Sequence, residues 1–261
     1  MITIPASSKL PRVALVTGAA RRIGRAIALG LANAGYAVAV HHHQSQADAD
    51  AVVSAIIAKG GRAVALTGDL ANETETETLV SRTAKALGPV GVLVNNASVF
   101  ERDEALTATR TSWDRHLDTN LRAPLVLSQA LARDLPKDAG GAIINLVDQR
   151  VWNLTPHFVS YTVSKAALWT LTQTLALALA PRIRVNAIGP GPVLPSPRQS
   201  DESFTKQYQA TPLERPATPE EIASAVRFLL DTPSITGQMI ALDAGQHLGW
   251  TFPGHSTTIE E

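Results

Sequence analysis

The sequence predicts a doubly wound α/β fold, in which a parallel sheet of seven strands is covered by helices on both faces. Short apolar runs recur along the chain, and helical patterns separate them. Most of these runs are continuous stretches of Val, Ile, Leu and Ala, which is typical of parallel strands that are buried on both faces. The candidate strands are Arg12–Val16, Tyr36–Val40, Arg62–Leu66, Gly91–Val94, Ala142–Val147, Ile183–Ile188 and Met239–Leu242.

The helical patterns fill the gaps between these strands, so right-handed crossovers are expected throughout. The last helix has a clear start signal, because Thr218 precedes it as a candidate N-cap and Pro219 occupies the first helical position. The predicted helices are Gly24–Ala34, Ala47–Lys59, Glu73–Leu87, a long segment near Ser112–Arg133, Tyr161–Ala180 and Pro219–Leu230.

The length and composition predict one domain over residues 1–261, because 261 residues that are 45% hydrophobic can bury most of their apolar surface around one core. The stretch Gly189–Pro212 is rich in Pro, Ser and Gly, and we expect residues 190–212 to form a mobile substrate flap over the strand ends. The tail Thr251–Glu261 has no period, so it is either poorly ordered or packed on a neighbouring subunit.

The charge balance excludes an electrostatic attraction of the whole chain to nucleic acid or to an anionic membrane, because Lys+Arg and Asp+Glu are both 23. The chain has no cysteine, which excludes disulfides, thiolate metal sites and cysteine nucleophiles. No apolar run approaches the ~20 residues of a membrane span, and no signal-peptide core is visible. A cytoplasmic protein with a small-molecule substrate is expected.

A glycine-bearing turn follows the first candidate strand and opens into a helix. Its sequence is Thr17-Gly18-Ala19-Ala20-Arg21-Arg22-Ile23-Gly24. Such a turn lets the backbone approach a pyrophosphate and directs free N–H groups at it, with the helix dipole in support. Glycines in tight turns are often only structural, but the position after a strand of a parallel sheet favours nucleotide binding.

The end of the second candidate strand bears on the choice of nicotinamide cofactor, because an acid there would repel a 2′-phosphate on the ribose. The strand ends in His41-His42-His43-Gln44-Ser45, without an acid. Donors at this end, together with Arg21 and Arg22, can hold a phosphate through charge-assisted hydrogen bonds. NADP(H) is therefore predicted over NAD(H), with a merely polar, solvated strand end as the alternative.

A metal site is the other interpretation of the three consecutive histidines. Successive residues of a strand point in alternating directions, so these side chains cannot all face one ion. No metal is expected. Asp69, after the third candidate strand, has two interpretations, since it could accept from the adenine amino group or cap the helix start at Asn72–Glu77.

Tyr161 and Lys165 lie four residues apart in a predicted helix, so their side chains share one face. We expect the ammonium group to favour the phenolate and to lower the pKa of the phenol from ~10 towards physiological pH. Tyr161 would then be a usable proton donor or acceptor. A Tyr and a Lys at this spacing also occur in helices without a function, so the surrounding motifs decide.

Those motifs occur in a characteristic order: Thr17-Gly18 to Gly24, Asp69, Asn95-Asn96-Ala97, Asn120, Tyr161-Lys165 and Pro190-Gly191. In this order, over nearly the whole chain, they resemble the short-chain dehydrogenase/reductase family. The resemblance implies a single-domain Rossmann fold with a seven-stranded sheet, an oxidoreductase activity and a homotetramer.

The resemblance also implies roles for individual residues. Tyr161 would be the acid/base, Lys165 would bind the nicotinamide ribose and lower the tyrosine pKa, and Asn120 would hold a water in the proton relay. Asn95 would lie on the cofactor side. Together with the turn and the strand end, the expected cofactor-binding residues are Gly18, Arg21, Arg22, Ile23, Gly24, His41, His43, Gln44, Ser45, Asp69, Leu70, Asn95, Ala97, Ser98, Tyr161, Lys165, Pro190 and Gly191.

Two departures from the common family pattern concern the substrate. Arg22 stands where most members have glycine, and Asp148 stands where most have a serine that hydrogen-bonds a substrate carbonyl. An ionised carboxylate there would repel the developing oxyanion of a ketone. It can instead accept from, or protonate, ring nitrogens and amino groups such as those of a pterin or folate.

Both departures are similar to the pteridine reductase subgroup, as are the glycine turn, the His41–Ser45 segment and Asn95-Asn96-Ala97-Ser98-Val99-Phe100. This resemblance implies that Phe100 stacks on the pterin, and that Arg22 and Ser98 contact cofactor phosphate and substrate. Gln44 departs from the subgroup, which tends to carry arginine there, and this weakens the predicted 2′-phosphate site.

Three functional hypotheses follow. The leading one is an NADPH-dependent reductase of a pterin- or folate-like ring, with the proton from Tyr161 or Asp148 and with Phe100, Arg22, Ser98, Asp148 and Tyr161 as substrate residues. The second is a carbonyl or quinone reductase, in which Asp148 is protonated or turned away. The third is a non-catalytic NADP(H)-binding sensor. Asp148 could also cap Gln149–Val151 or pair with Arg150, in which case the inference about the substrate falls, and Phe100 could be a core aromatic.

Overall fold

The computed structural model describes residues 10–196 and 199–249. It contains a parallel sheet of seven strands in the order β3-β2-β1-β4-β5-β6-β7, and the predicted doubly wound Rossmann-type fold is confirmed. The strand order reverses between β1 and β4, and ligands bind at this point in open α/β sheets. The strands are β1 (Val13–Val16), β2 (Ala37–His42), β3 (Ala63–Thr67), β4 (Val92–Asn95), β5 (Gly141–Leu146), β6 (Ile183–Pro190) and β7 (Met239–Leu242).

The middle strands are buried on both faces, which explains their continuous apolar sequences. In β1, Leu15 pairs with Ala39 of β2 and with Leu93 of β4, and all three side chains are fully buried. Because the three strands are parallel, their carboxyl ends reach the same edge of the sheet. The glycine turn, the histidine segment and the Asn95 motif therefore meet at this edge.

The helices form two layers. One face of the sheet packs against α1, α2 and α8, and the other face packs against α3, α5 and α6. The helices are α1 (Arg22–Asn33), α2 (Gln46–Ile57), α3 (Glu73–Leu87), α4 (Arg110–Leu117), α5 (Ala123–Asp134), α6 (Val159–Ala178), α7 (Asp201–Gln209) and α8 (Pro219–Asp231). In the part of the chain that the structure describes, no helix is long and apolar enough to span a membrane.

The predicted long helical segment near Ser112–Arg133 is present in the structure, where α4 continues into α5 through a π-helical turn over Asp118–Arg122. In this turn the Ala123 N–H donates to the Asp118 carbonyl. Pro124 lacks the N–H that would continue regular α-helical hydrogen bonding at this place. The sequence analysis did not predict this wider turn, which contains Asn120.

The predicted flap contains helix α7, which the sequence analysis missed. The helix has ordinary start signals, because the Ser200 side chain accepts from the Ser203 N–H, and Asp201 and Glu202 lie in the first turn. These signals were outweighed by the Pro-rich sequence around them. The start of α8 was predicted correctly, with Thr218 and Glu221 forming a capping box. The tail Thr251–Glu261 lies outside the described residues.

The glycine turn packs tightly against the loop that follows β4. A Cβ added at Gly24 would lie 2.2 Å from the Gly18 carbonyl oxygen and 2.5 Å from Nδ2 of Asn96. Neither atom belongs to a flexible surface side chain, so only glycine fits here without moving the backbone. Gly60 is a contrasting case, since its φ is +79° but nothing lies within 4 Å of an added Cβ.

We expect Gly24→Ala to lower the free energy of unfolding by about 3 kcal/mol or more, because the turn must move away from Asn96. Gly60→Ala is the matched control and should lower it by only about 1–2 kcal/mol, the strain of a left-handed backbone. Urea denaturation measures both values. Equal, small losses for the two variants would contradict the close packing at Gly24.

Candidate active site

The side chain of His41 forms a hydrogen bond with the backbone of the glycine turn. Its Nδ1 accepts from the Gly18 N–H at 3.1 Å, so its Nε2 carries the proton and donates to the Gly68 carbonyl at 3.1 Å. Burial lowers the pKa of His41 to about 4, so the ring is neutral at physiological pH. We predicted a donor at the strand end, but the structure places His41 beneath the turn as an uncharged support.

The start of α1 has the properties of an anion site. Among the described residues, no side chain caps this helix at Arg21, and its first turn contains no acid. Its N–H groups and dipole are therefore available to a phosphate. Nearby at the end of β4, the buried Oδ1 of Asn95 has no hydrogen-bond partner in the described structure. The residues present thus fit a dinucleotide cofactor along this edge.

The region expected to hold a 2′-phosphate contains an unpredicted acid. Arg21 donates to the Ser45 hydroxyl, and its Nε lies 2.7 Å from the Asp48 carboxylate. His43 and Gln44 are exposed, and Nε2 of His43 lies 3.9 Å from the Asp69 carboxylate. The sequence analysis missed Asp48, although its place in the first turn of α2, directly after the histidine segment, could have indicated it.

Arg22 adopts a left-handed backbone conformation, with φ of 52°. This conformation favours glycine, the residue that the resemblance gives for this position. The guanidinium donates to the backbone carbonyls of Leu194 and Pro195, at 3.1 and 2.9 Å. Arg22 therefore joins the glycine turn to the predicted flap. A contact with cofactor phosphate or substrate stays a prediction.

Asp69 does not cap α3. Its carboxylate accepts from the Ala71 N–H at 3.0 Å, whereas the side chain of Asn72 is the N-cap and accepts from the Glu75 N–H. The cap interpretation of Asp69 was therefore wrong, and an adenine contact remains a prediction. Leu70, beside it, is buried.

Tyr161 and Asp148 are hydrogen-bonded at the carboxyl end of the sheet. The Tyr161 hydroxyl donates to Oδ2 of Asp148 at 2.8 Å, while Oδ1 accepts from the Arg150 N–H at 2.8 Å. Asp148 thus caps the short 3₁₀ turn Gln149–Val151 and also faces Tyr161. The two interpretations offered by the sequence are compatible, because each uses a different carboxylate oxygen.

Lys165 is buried on the same face of α6 as Tyr161. Its Nζ donates to the Leu146 carbonyl at 2.7 Å and lies 5.8 Å from the centre of the Tyr161 ring. Burial lowers the pKa of Lys165 to about 8, against the opposing effect of Asp148. The ammonium form is therefore only moderately favoured at neutral pH.

The pKa of the Tyr161 phenol is raised well above 10. Burial is the largest cause, the Asp148 charge and hydrogen bond add to it, and the charge of Arg150 acts in the opposite direction. The expectation that Lys165 lowers this pKa was wrong for this arrangement. Tyr161 is therefore held as a neutral phenol.

Two phenylalanine rings, Phe100 and Phe158, form an aromatic cluster with the ring of Tyr161. Phe100 is stacked on Phe158 with ring centres 4.4 Å apart, and it meets Tyr161 edge-on at 4.7 Å. The guanidinium of Arg150 lies 5.1–5.8 Å from the centres of all three rings. Phe100 is half-buried, and it belongs to an aromatic cluster that includes the ring of Tyr161.

The other predicted residues surround this centre. Asn120 accepts from the Val99 N–H at 2.8 Å and donates to the Val99 carbonyl and to Ser164, so its side chain fixes the loop after β4. Asn95 donates to Asn145 at 2.8 Å. The Ala97 N–H is bound by Thr17, and Ser98 is exposed. Pro190 ends β6, and the Gly191 N–H donates to the Leu242 carbonyl.

Removing the charge of Asp148 should lower the pKa of Tyr161, because the carboxylate raises it. We expect Asp148→Asn, in a background with Tyr36→Phe and Tyr208→Phe, to shift phenolate formation to lower pH. Absorbance at 295 nm reports this titration, since Tyr161 is then the only tyrosine left of the chain's three. Asp114→Asn, which removes a partly exposed carboxylate paired with Arg110 on α4, is the control and should leave the midpoint unchanged. An unchanged or higher midpoint in Asp148→Asn would refute the assignment.

Comparison with known proteins identifies the family of this chain. A family model described as enoyl-(acyl carrier protein) reductase matches residues 18–247. A curated relative, the 3-oxoacyl-[acyl-carrier-protein] reductase of Synechocystis sp., is 37% identical over 238 residues, which cover 90% of this chain and 96% of the relative.

Solved structures with higher identity bear a different name. The FolM alternative dihydrofolate reductase 1 from Brucella canis, complexed with NADP, is 46% identical, with a TM-score of 0.91 and coverage of 95% of this chain and 98% of that chain. The same protein from Brucella suis, also in complex with NADP, is 48% identical, with a TM-score of 0.89 and coverage of 92% and 96%. These matches confirm the family resemblance: the chain belongs to the short-chain dehydrogenase/reductase family of oxidoreductases, whose members use NAD(P)H.

Proposed function

We propose that this oxidoreductase uses NADPH to reduce a pterin- or folate-like heterocycle. The observation that carries the proposal is the hydrogen bond between the Asp148 carboxylate and the Tyr161 hydroxyl, 2.8 Å long. The FolM relatives support the substrate class, and the NADP in both of their structures supports the cofactor.

The Asp148 carboxylate favours a nitrogen heterocycle over a ketone. Its negative charge beside a developing oxyanion would oppose ketone reduction, because the repulsion is strong where water is excluded. The same carboxylate can accept hydrogen bonds from ring N–H and amino groups. A substrate with such groups would donate a hydrogen bond to the Asp148 carboxylate. A simple ketone has no N–H group to donate, and its carbonyl oxygen would face the negative charge of Asp148 instead.

Tyr161 would be the proton donor, although its raised pKa makes it a weaker acid than an ordinary phenol. Its raised pKa keeps the phenol protonated at neutral pH, and Asp148 orients the hydroxyl. NADPH supplies the hydride when it is bound. Lys165, held by the Leu146 carbonyl, would contact the ribose, and Phe100 would provide the ring against which a flat substrate stacks.

A homotetrameric, cytoplasmic enzyme is part of the same proposal. On α6, Val163 and Leu177 are 39% and 83% exposed, and an interface between α6 and a second copy would cover both side chains.

Reduction of a carbonyl group is the second candidate function. It is favoured by the Synechocystis relative, whose name specifies a 3-oxoacyl substrate. In that case Asp148 would serve only as the cap of the turn Gln149–Val151, an interaction that uses one of its oxygens.

The variant Asp148→Ser separates these two functions. We expect it to lower the turnover of dihydropterins about 100-fold or more, because the acceptor for ring N–H groups and a partner of Tyr161 are lost. Turnover of ketones should be retained, since a serine suits a carbonyl oxygen. NADPH oxidation at 340 nm measures both activities.

Asp114→Ser is the matched control for that comparison, and Tyr161→Phe should reduce every activity. Unchanged dihydropterin turnover in Asp148→Ser would remove the reason for a pterin substrate. Tight NADPH binding without turnover of any dihydropterin, dihydrofolate, diketone or quinone would instead favour a non-catalytic sensor.

The ion pair between Arg21 and Asp48 generates a prediction about the cofactor. Wild-type protein should bind NADPH more tightly than NADH, and Arg21→Ala should weaken NADPH binding about tenfold or more through loss of a charge-assisted hydrogen bond. Asp48→Asn should tighten NADPH binding about 2- to 5-fold, because the carboxylate no longer competes for Arg21.

Isothermal titration calorimetry gives these dissociation constants. NADH is the internal control, because it lacks the 2′-phosphate and its affinity should be almost unaffected by either change. Equal affinities of the wild type for NADPH and NADH would contradict the predicted site.

A further inference from the structure

A polar cluster is buried beside the aromatic rings, between the loop after β4, helix α4 and the start of α6. It consists of Asp103, Ser112, His116 and Ser160, and we call it the Asp103–His116 cluster. Asp103 is 4% exposed, and His116 and Ser160 are fully buried. Burying polar groups is unfavourable unless each is hydrogen-bonded, so their partners are informative.

Asp103 binds the start of α6 through several hydrogen bonds. Its carboxylate accepts from the Ser160 N–H at 3.1 Å, from the Ser160 hydroxyl and from the Ser112 hydroxyl at 3.0 Å. Its backbone carbonyl accepts from the Phe158 N–H at 2.9 Å. Burial raises the pKa of Asp103, but the hydrogen bonds from Ser160 and Ser112 outweigh this effect and lower it overall. The carboxylate is therefore charged at neutral pH.

This external carboxylate replaces the cap that α6 lacks. Phe158 occupies the N-cap position with φ of 60°, and its side chain forms no capping hydrogen bond within the described structure. An acid at a helix N-terminus satisfies free N–H groups and interacts favourably with the helix dipole. Asp103 thus fixes the first turn of α6, in which Tyr161 follows Ser160 directly.

His116 connects the same turn to the loop that carries Phe100. Its Nε2 accepts from the Glu101 N–H at 3.1 Å, so the proton of the neutral ring is on Nδ1. Nδ1 lies 2.7 Å from the Ser160 hydroxyl oxygen and 2.8 Å from the Ser112 carbonyl. One imidazole therefore links the neighbour of Phe100 to the neighbour of Tyr161.

The cluster is not arranged for nucleophilic catalysis, although it contains a serine, a histidine and an aspartate. The Ser160 hydroxyl donates to Asp103 and not to His116, and it is fully buried. A hydrolytic triad needs a serine that gives its proton to histidine and that a substrate can reach. The cluster therefore serves a different purpose.

We propose that Asp103 and His116 are positioning residues, which set the distance between the Phe100 ring and the Tyr161 hydroxyl and thereby select flat ring substrates for proton transfer. The inference rests on the proposed function in so far as Phe100 stacks on the substrate. Displacements of about 1 Å at a reacting centre can lower turnover about 100-fold, so a rigid link between the two side chains matters to the rate.

The experiment compares two variants of the cluster with one control. Ser160→Ala removes the hydroxyl that joins Asp103 to His116, and His116→Phe keeps a ring but removes both nitrogens. Ser128→Ala is the control, because Ser128 is equally buried, lies in α5 and donates to the Pro124 carbonyl at 2.6 Å, away from the site. The melting temperatures show whether the three proteins are folded and comparably destabilised.

Turnover and the phenolate titration of Tyr161 are the readouts. We expect kcat to fall about 10-fold or more in both cluster variants, with the KM for NADPH unchanged. In the background with Tyr36→Phe and Tyr208→Phe, the midpoint of phenolate formation should shift to lower pH as Tyr161 moves away from Asp148. The control should change neither value. Unchanged kcat and midpoint in both cluster variants would overturn the inference.

Failure of the proposed function is recognised separately, because the wild type would then reduce ketones and no dihydropterin. The kcat comparison is made with dihydropterins, and the phenolate titration, which needs no substrate, tests the position of Tyr161 even where no dihydropterin is reduced. A loss of kcat for dihydropterins with ketone turnover intact would specifically support selection through Phe100.

Discussion

The hydrogen bonds between Thr17 and the loop after β4 organise the site. The Thr17 hydroxyl accepts from the backbone N–H groups of Asn96 and Ala97, both at 3.0 Å. The side-chain amide of Asn96 donates in return to the backbone carbonyls of Thr17 and Gly18, at 2.8 and 3.1 Å. These bonds join β1 to β4, the neighbouring strands from which the chain continues in opposite directions across the sheet. A crevice opens between such strands, and the Asn96 side chain also forms part of the wall that excludes a Cβ at Gly24.

The electrostatics of the centre follow from burial. Burial raises the pKa of Tyr161 and lowers that of Lys165, so both groups are shifted towards their neutral forms. The Asp148 carboxylate opposes this shift for Lys165 and reinforces it for Tyr161. The site therefore contains a neutral phenol directed at a carboxylate, near a buried lysine whose ammonium form is only moderately favoured. A carboxylate at this place disfavours a developing oxyanion.

The sequence was sufficient for the middle strands, because their continuous apolar runs follow from burial on both faces. It also located Tyr161 and Asp148, whose positions follow from element order. It did not reveal which groups the His41 ring binds or the contact of Arg22 with Leu194 and Pro195, since each depends on segments distant in the chain. The π-helical turn at Asp118–Arg122 was missed because it is confined to five residues, too few for a separate periodicity to be seen.

The contact between Arg22 and the segment after β6 has a consequence for the order of events. The same residue belongs to the anion-binding turn and donates to the carbonyls of Leu194 and Pro195. Moving that segment away from the strand ends breaks both bonds, and anything that draws the guanidinium towards a phosphate competes with them. If a phosphate bound at the turn draws the Arg22 guanidinium from these carbonyls, as predicted, occupancy of the turn and the position of the segment would be thermodynamically linked, and the linkage would be reciprocal. Because Arg22 is exposed, each bond is weak, so such a linkage would only shift populations.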